Sequence, residues 1–74
     1  MMIKVEFNGG QGRETSAAVN YMLAEVDGIE LYAETEIPDE ADPDEYGYDE
    51  LKAEIIAQAK ANGIDKSLLK FWWD

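Results

Sequence analysis

The sequence contains no cysteine and no histidine. Without cysteine it cannot form disulfides, thiolate metal sites or cysteine nucleophiles, and nothing points to an oxidising compartment. Without histidine it lacks the usual general base near neutral pH and the commonest metal ligand. No paired base or nucleophile accompanies the carboxylates, so we expect a protein that is not an enzyme and that uses no metal or cofactor.

Long apolar runs are also missing. The first residues, Met1 to Glu6, lack the apolar core of a signal peptide, and no run reaches the length of a membrane span. At 74 residues the chain has room for one small hydrophobic core. We therefore expect a single small acidic domain over residues 1–74, without a membrane partner. The expected location is the cytoplasm, which is the host cytoplasm if a phage encodes the protein.

Basic residues are scarce and unevenly placed. There are 6 lysines and arginines against 17 acidic residues, which gives a net charge of −11. Residues 29–50 carry ten of the acidic residues and no basic one. A field of this sign repels nucleic acid phosphates and attracts basic surfaces. The sequence thus predicts a basic protein surface as partner and no direct binding of nucleic acid.

Apolar and polar residues alternate in three segments. Residues 2–7, 29–37 and 68–73 each place apolar side chains on one side and polar ones on the other, which is the period of a half-buried strand. In the second of these segments Glu30, Tyr32, Glu34 and Glu36 share the polar side. We predict a strand in each segment, with Trp73 in the core beside Phe71.

Helical spacing occurs in two segments. Ala18, Met22 and Val26 predict a helix that Thr15 or Ser16 caps and that Gly28 ends. A second helix is predicted over residues 48–62. Its predicted buried residues are Leu51, Ile55, Ile56 and Ala59. The glycine-rich residues 8–12 are typical of a turn, and residues 38–46 of an ordered acidic loop.

The predicted element order is β-α-β-α-β, an α+β domain with two layers. Because each strand has one apolar side, we expect a small three-stranded sheet with both helices on one face. The other face stays open. It is predicted to carry Lys4, Glu6, Glu30, Tyr32, Glu34, Glu36, Lys70 and Trp72.

The acidic strand and loop form the candidate binding site. Carboxylates at every second strand residue lie about 6.6 Å apart, since a strand rises about 3.3 Å per residue. Duplex DNA carries one charge per roughly 3.4 Å along each strand, so the segment approaches a polyanion in spacing and in sign. The predicted partner-binding residues are Glu30, Tyr32, Glu34, Glu36, Asp39, Glu40, Asp42, Asp44, Glu45 and Trp72.

In size, acidity and lack of cysteine the chain resembles phage-encoded anti-defence proteins, including anti-CRISPR and anti-restriction DNA mimics. The resemblance implies a small protein that inhibits a nucleic-acid-binding protein. The alternative is a non-catalytic accessory or assembly module. In that case the open face, anchored by Tyr32 and Trp72, would form a homodimer or dock another partner.

Two further patterns are incomplete. Asp42 and Asp44 fit the first and third positions of a calcium-binding loop, but Tyr46 and Ala53 occupy its fifth and twelfth, so no metal site is predicted.

Residues 3–23 resemble the beginning of plasmid mobilisation relaxases, in which a tyrosine placed like Tyr21 is the DNA nucleophile. The histidines that hold metal in such enzymes are missing, so we expect Tyr21 only to pack at the edge of the first helix.

Overall fold

The computed structural model describes residues 2–72, which form a small α+β fold. Trp73, which the sequence placed in the core, lies outside these residues. The fold has one three-stranded antiparallel sheet, one two-stranded parallel sheet and one α-helix. In chain order the elements are β1 (Ile3–Lys4), β2 (Glu6–Gln11), β3 (Ala18–Val26), β4 (Ile29–Glu36), α1 (Tyr48–Ala61), a short 3₁₀ helix (Lys66–Leu68) and β5 (Leu69–Lys70).

The antiparallel sheet has the strand order β2-β3-β4. A two-residue turn joins β3 to β4, with Val26 opposite Ile29. Both turn residues have positive φ, 51° at Asp27 and 80° at Gly28. Such turns match the twist of paired strands. Gly28 therefore serves a hairpin, where the sequence had predicted that it ends a helix.

The parallel sheet extends the antiparallel one at its β2 side. β1 pairs with β5, with Ile3 opposite Leu69, and the Val5 N–H just beyond β1 donates to the Lys70 carbonyl at 3.0 Å. The predicted last strand is thus present but short. The 3₁₀ helix precedes it, capped by the Asp65 carboxylate, which accepts from the Ser67 N–H at 2.9 Å.

The predicted first helix is wrong, because residues 18–26 form the central strand β3. Asn20, Met22, Ala24 and Val26 alternate toward the core and are buried. The glycine-rich turn is also wrong in part. β2 continues to Gln11 and pairs with β3 along its whole length, so the turn falls at residues 12–17. The sheet face that packs on the core consequently carries one helix, not two.

The second predicted helix is confirmed as α1. It buries Leu51, Ile55 and Ala59 against β3 and β4. Its end is closed by the Ile64 N–H, which donates to the Ala59 carbonyl at 2.8 Å after Gly63 with φ 72°. Ile56 is only partly buried at the rim of the core. Within residues 2–72, no helix combines the length and apolar character needed to cross a membrane.

Candidate protein-binding surface

Four residues of β4 point away from the core. Leu31 and Ala33 are buried under α1, so the alternation of the strand turns Glu30, Tyr32 and Glu34 to the opposite face. Glu36 continues this row. In the register with β3, Tyr21 is opposite Glu34 and Leu23 is opposite Tyr32. The predicted polar side of this strand therefore exists, and β3 supplies its neighbours.

Arg13 lies on this face and binds three of the four residues. Its guanidinium pairs with Glu30 through both nitrogens, at 2.6 and 3.4 Å, and its Cζ lies 3.9 Å from the centre of the Tyr32 ring. Its backbone N–H donates to Glu34 Oε1 at 2.8 Å. The turn between β2 and β3 thus folds over β4. Sequence reasoning missed this contact because it placed Arg13 before a helix, although Arg13 is the only arginine in the chain.

We name Arg13, Glu30, Tyr32 and Glu34 the Arg13 cluster. The contacts within this cluster shift the pKa values of its side chains. The Arg13 guanidinium lowers the pKa of Glu30, and the Arg13 backbone N–H lowers the pKa of Glu34. Partial burial raises the pKa of Tyr32 to about 12, and the bond from its hydroxyl to Glu34 Oε1 at 2.8 Å adds to the shift. Tyr32 also stacks on Tyr21, with ring centres 5.7 Å apart. At neutral pH the cluster holds two carboxylates, one guanidinium and a neutral phenol.

The remaining acidic residues of positions 29–50 form a separate surface, which we name the acidic ridge. It follows β4 through the loop into the first turn of α1. The ion pair shown among residues 2–72 is Arg13–Glu30, and it includes no residue of the ridge. The ridge consists of Glu36, Asp39, Glu40, Asp42, Asp44, Glu45, Asp49 and Glu50, all exposed.

The loop that carries the ridge is anchored at two points. Asn20 on β3 is 2% exposed, and its Nδ2 donates to the carbonyls of Pro43 and Tyr46, each at 2.9 Å. Gly47 has φ 77°, and a Cβ there would lie 2.5 Å from Thr35 Cγ2 on β4. Glycine is required at this position for both reasons. The predicted ordered loop is therefore held on the sheet by backbone and side-chain contacts.

Trp72 lies elsewhere. Its side chain is 57% exposed and packs edge-on against Phe7, with ring centres 6.1 Å apart. Phe7 is buried and contacts Tyr48 of α1, and Trp72 also lies beside Lys4 and Lys70 at the β5 end of the fold, whereas Tyr32 is on β4 at the far edge of the antiparallel sheet. The predicted open face with Tyr32 and Trp72 together is thus not formed. Between Trp72 and the acidic loop runs an open groove of about 920 Å³ over Gly9 and Gly10.

The structure divides the predicted binding residues into three groups. Glu30, Tyr32 and Glu34 belong to the Arg13 cluster, and Trp72 stands beside the groove. The others lie on the acidic ridge: Glu36, Asp39, Glu40, Asp42, Asp44 and Glu45. Tyr21 is on β3 beside the Arg13 cluster rather than at a helix edge. Among residues 2–72, no three acidic side chains are arranged to hold a metal ion.

Comparison with known proteins gives no match to a protein family, to a curated protein or to a solved structure.

Proposed function

We propose that this protein is a non-catalytic inhibitor, which binds a basic protein through the acidic ridge and excludes nucleic acid from the partner's surface. One observation carries the proposal. Eight exposed carboxylates follow each other over residues 36–50, and the ion pair shown among the described residues lies outside them. Concentrating like charge in so small a fold is unfavourable for stability. A partner that supplies the counter-charge accounts for it.

The Arg13 cluster narrows the proposed contact surface. Glu30 and Glu34 already bind Arg13, and a partner's lysine or arginine would have to displace it. No ion pair shown within residues 2–72 includes a ridge carboxylate. The bond shown for the Asp42 carboxylate within residues 2–72 comes from the nearby backbone N–H of Asp44, at 2.9 Å. The proposed surface is accordingly the ridge, with the acidic side of β4 as its border.

The test is competition with nucleic acid. The protein is immobilised, a basic partner is captured from the native host at about 50 mM salt, and labelled duplex DNA is then titrated against the purified pair. We expect the wild-type protein to displace the duplex from its partner. A variant with Glu36→Lys, Asp39→Lys and Glu40→Lys should not displace it. Simultaneous binding of the duplex and the wild-type protein would overturn the proposal.

A mobility-shift experiment provides the second control. The isolated protein should not bind duplex DNA at physiological salt, because both are strongly negative. A clean shift would mean that the ridge does not stand in for a polyanion.

The assembly module remains the other prediction, and it has less support. A docking face anchored by Tyr32 and Trp72 needs both rings on one surface. Tyr32 is covered by Arg13 on β4, and Trp72 lies beside Phe7 of β2, beyond the opposite edge of the antiparallel sheet.

A further inference from the structure

The outer edge of β2 is open at its second half, from Asn8 to Gln11. The Gly12 N–H donates to the Ala17 carbonyl, so even-numbered residues of β2 bond to β3, and Gly9 and Gln11 turn their backbone groups outward. Within residues 2–72 these outward groups have no partner. The four residues from Asn8 to Gln11 are exposed. A row of unpaired N–H and C=O groups is a template for another strand.

The opposite edge of the sheet is interrupted near its middle, at Tyr32 of β4. Gln58 of α1 receives the Tyr32 N–H at 3.0 Å and donates to the Tyr32 carbonyl at 2.7 Å. One side-chain amide thus takes the place of a neighbouring strand on β4. A strand added to β4 would have to displace Gln58 from Tyr32, whereas at Gly9 and Gln11 of β2 it would displace no bond shown within residues 2–72.

The two sides of the groove at this edge differ in chemistry. On one side stands the exposed indole of Trp72, and on the other the acidic loop contributes Asp42, Asp44 and Glu45. Between them, Gly9 and Gly10 present backbone without side chains. An aromatic face and several carboxylates together favour a lysine or arginine side chain.

We propose that an extended, basic segment of the partner adds to the β2 edge as a further strand. A lysine or arginine of the segment then lies between Trp72 and the loop carboxylates. This inference rests on the proposed function, since it uses the groove side of the same acidic loop. It adds the form of the partner, an extended chain that offers backbone hydrogen bonds.

The probe is a short fluorescein-labelled peptide of alternating lysine and valine. Its control is the same peptide with alternate backbone nitrogens methylated, which has the same charge but cannot form the strand bonds. At about 50 mM salt we expect the methylated peptide to bind about tenfold more weakly, because backbone hydrogen bonds contribute much of the affinity of strand addition. In ¹⁵N spectra the unmethylated peptide should shift the amide signals of Gly9 and Gln11 and the Trp72 indole signal.

Matched variants separate the groove from overall charge. Asp42→Asn with Asp44→Asn removes two charges at the groove, and the amide oxygen at position 42 still accepts the N–H of residue 44. Asp49→Asn with Glu50→Gln removes two charges on the ridge outside the groove. We expect the first pair, and Trp72→Ala, to weaken the unmethylated peptide by about tenfold, as for a central contact. The second pair should have a smaller effect.

Equal binding of both peptides, with signal changes spread along residues 36–50, would overturn strand addition and leave the proposed function intact. Both peptides could also fail to bind while binding of a captured partner still depends on Glu36, Asp39 and Glu40. This result too would overturn strand addition and leave the proposed function intact. Peptide binding at Gly9 and Gln11 with no displacement of nucleic acid from a captured partner would support the groove and overturn the proposed function.

Discussion

A single residue, Arg13, determines which carboxylates of the acidic strand β4 are available for binding. Arg13 neutralises Glu30, stacks on Tyr32 and holds Glu34 by its backbone. The strand looks like a uniform negative surface in the sequence, yet two of its three carboxylates, Glu30 and Glu34, are bound within the molecule. A run of acidic residues in a sequence therefore indicates only that a basic partner could bind there. Contacts within the fold determine which carboxylates remain available to that partner.

The two carboxylates should respond differently when the guanidinium is removed. In Arg13→Gln we expect the pKa of Glu30 to rise toward its ordinary value, because the guanidinium is the main cause of its lowering. The pKa of Glu34 should stay lowered, since its main partner is the backbone N–H of residue 13, which the substitution keeps. Carbon-detected NMR titration of the two side chains measures both values.

The sign of the accompanying stability change follows from these shifts. A carboxyl whose pKa is lowered by folding stabilises the fold above its unfolded pKa, and this contribution is lost as the pH falls through the folded value. Wild type should therefore lose more stability than Arg13→Gln on acidification below about pH 4.5, the ordinary value of the glutamate pKa. Arg13→Lys keeps the positive charge, and it tests whether charge alone lowers the pKa of Glu30. Equal changes in the two glutamates would contradict the assigned contacts.

Asn20 acts at the same scale, through two hydrogen bonds. Because its amide is buried and donates to two loop carbonyls, Asn20→Asp would set a carboxylate against both oxygens. We expect a loss of about 3 kcal/mol in the free energy of unfolding, and a smaller loss for Asn20→Ala. Urea denaturation measures the loss. Asn8→Asp, the same change at an exposed position of β2, is the control, and an equal effect there would contradict the role of Asn20.

At the scale of elements, the sequence predicted β4 and α1 and failed at β3. β4 alternates strictly, and α1 has one apolar stripe between clear end signals. In β3, by contrast, Ala18, Met22 and Val26 have helical spacing while Asn20, Met22, Ala24 and Val26 alternate. Alanine, methionine and leucine also favour helix. Pairing with strands on both sides decides the outcome, and this pairing is not visible in the segment itself.

The glycines of β2 led to the wrong prediction of a turn at residues 8–12, for a related reason. Glycine commonly marks turns, but a Cβ at Gly9 would lie 3.2 Å from Asn20 Oδ1. Gly9 therefore permits the close approach of Asn20, which in turn anchors the acidic loop. The loop was predicted from its composition, whereas the anchor depends on contacts between residues more than 20 positions apart.

The two bonds between Gln58 and the β4 backbone give a prediction at this scale. Gln58→Ala removes both bonds to the Tyr32 backbone and leaves an unpaired edge. We expect a loss of about 2 kcal/mol in the free energy of unfolding, together with increased self-association. Urea denaturation and analytical ultracentrifugation measure the two effects. Lys60→Ala, an exposed change on the same helix, should show neither, and a variant at position 58 that stays monomeric would limit the role of Gln58 to stability.

At the scale of the whole molecule, the position of the charge matters as much as its amount. The net charge of −11 comes almost entirely from residues 29–50, where there is no basic residue. The fold keeps this segment together as the end of β4, an anchored loop and the first turn of α1. An anchored charged surface can steer a basic partner into one orientation, because its field keeps a fixed direction.

Association with the basic partner should therefore depend steeply on salt and on where the charges lie. The screening length falls below about 10 Å between about 50 and 300 mM salt, so the association rate of wild type should drop sharply over this range. With Glu36→Lys, Asp39→Lys and Glu40→Lys, association should be slow at low salt and nearly independent of salt. Glu34 is left unchanged in this variant because it holds the turn through Arg13 and Tyr32.

The control, Glu6→Lys with Glu25→Lys and Glu54→Lys, makes the same change in net charge away from the ridge. Stopped-flow rates at several salt concentrations, with thermal melts to confirm folding, compare the three proteins. If the control loses its salt dependence as fully as the ridge variant, net charge alone governs association and the ridge is not the binding surface.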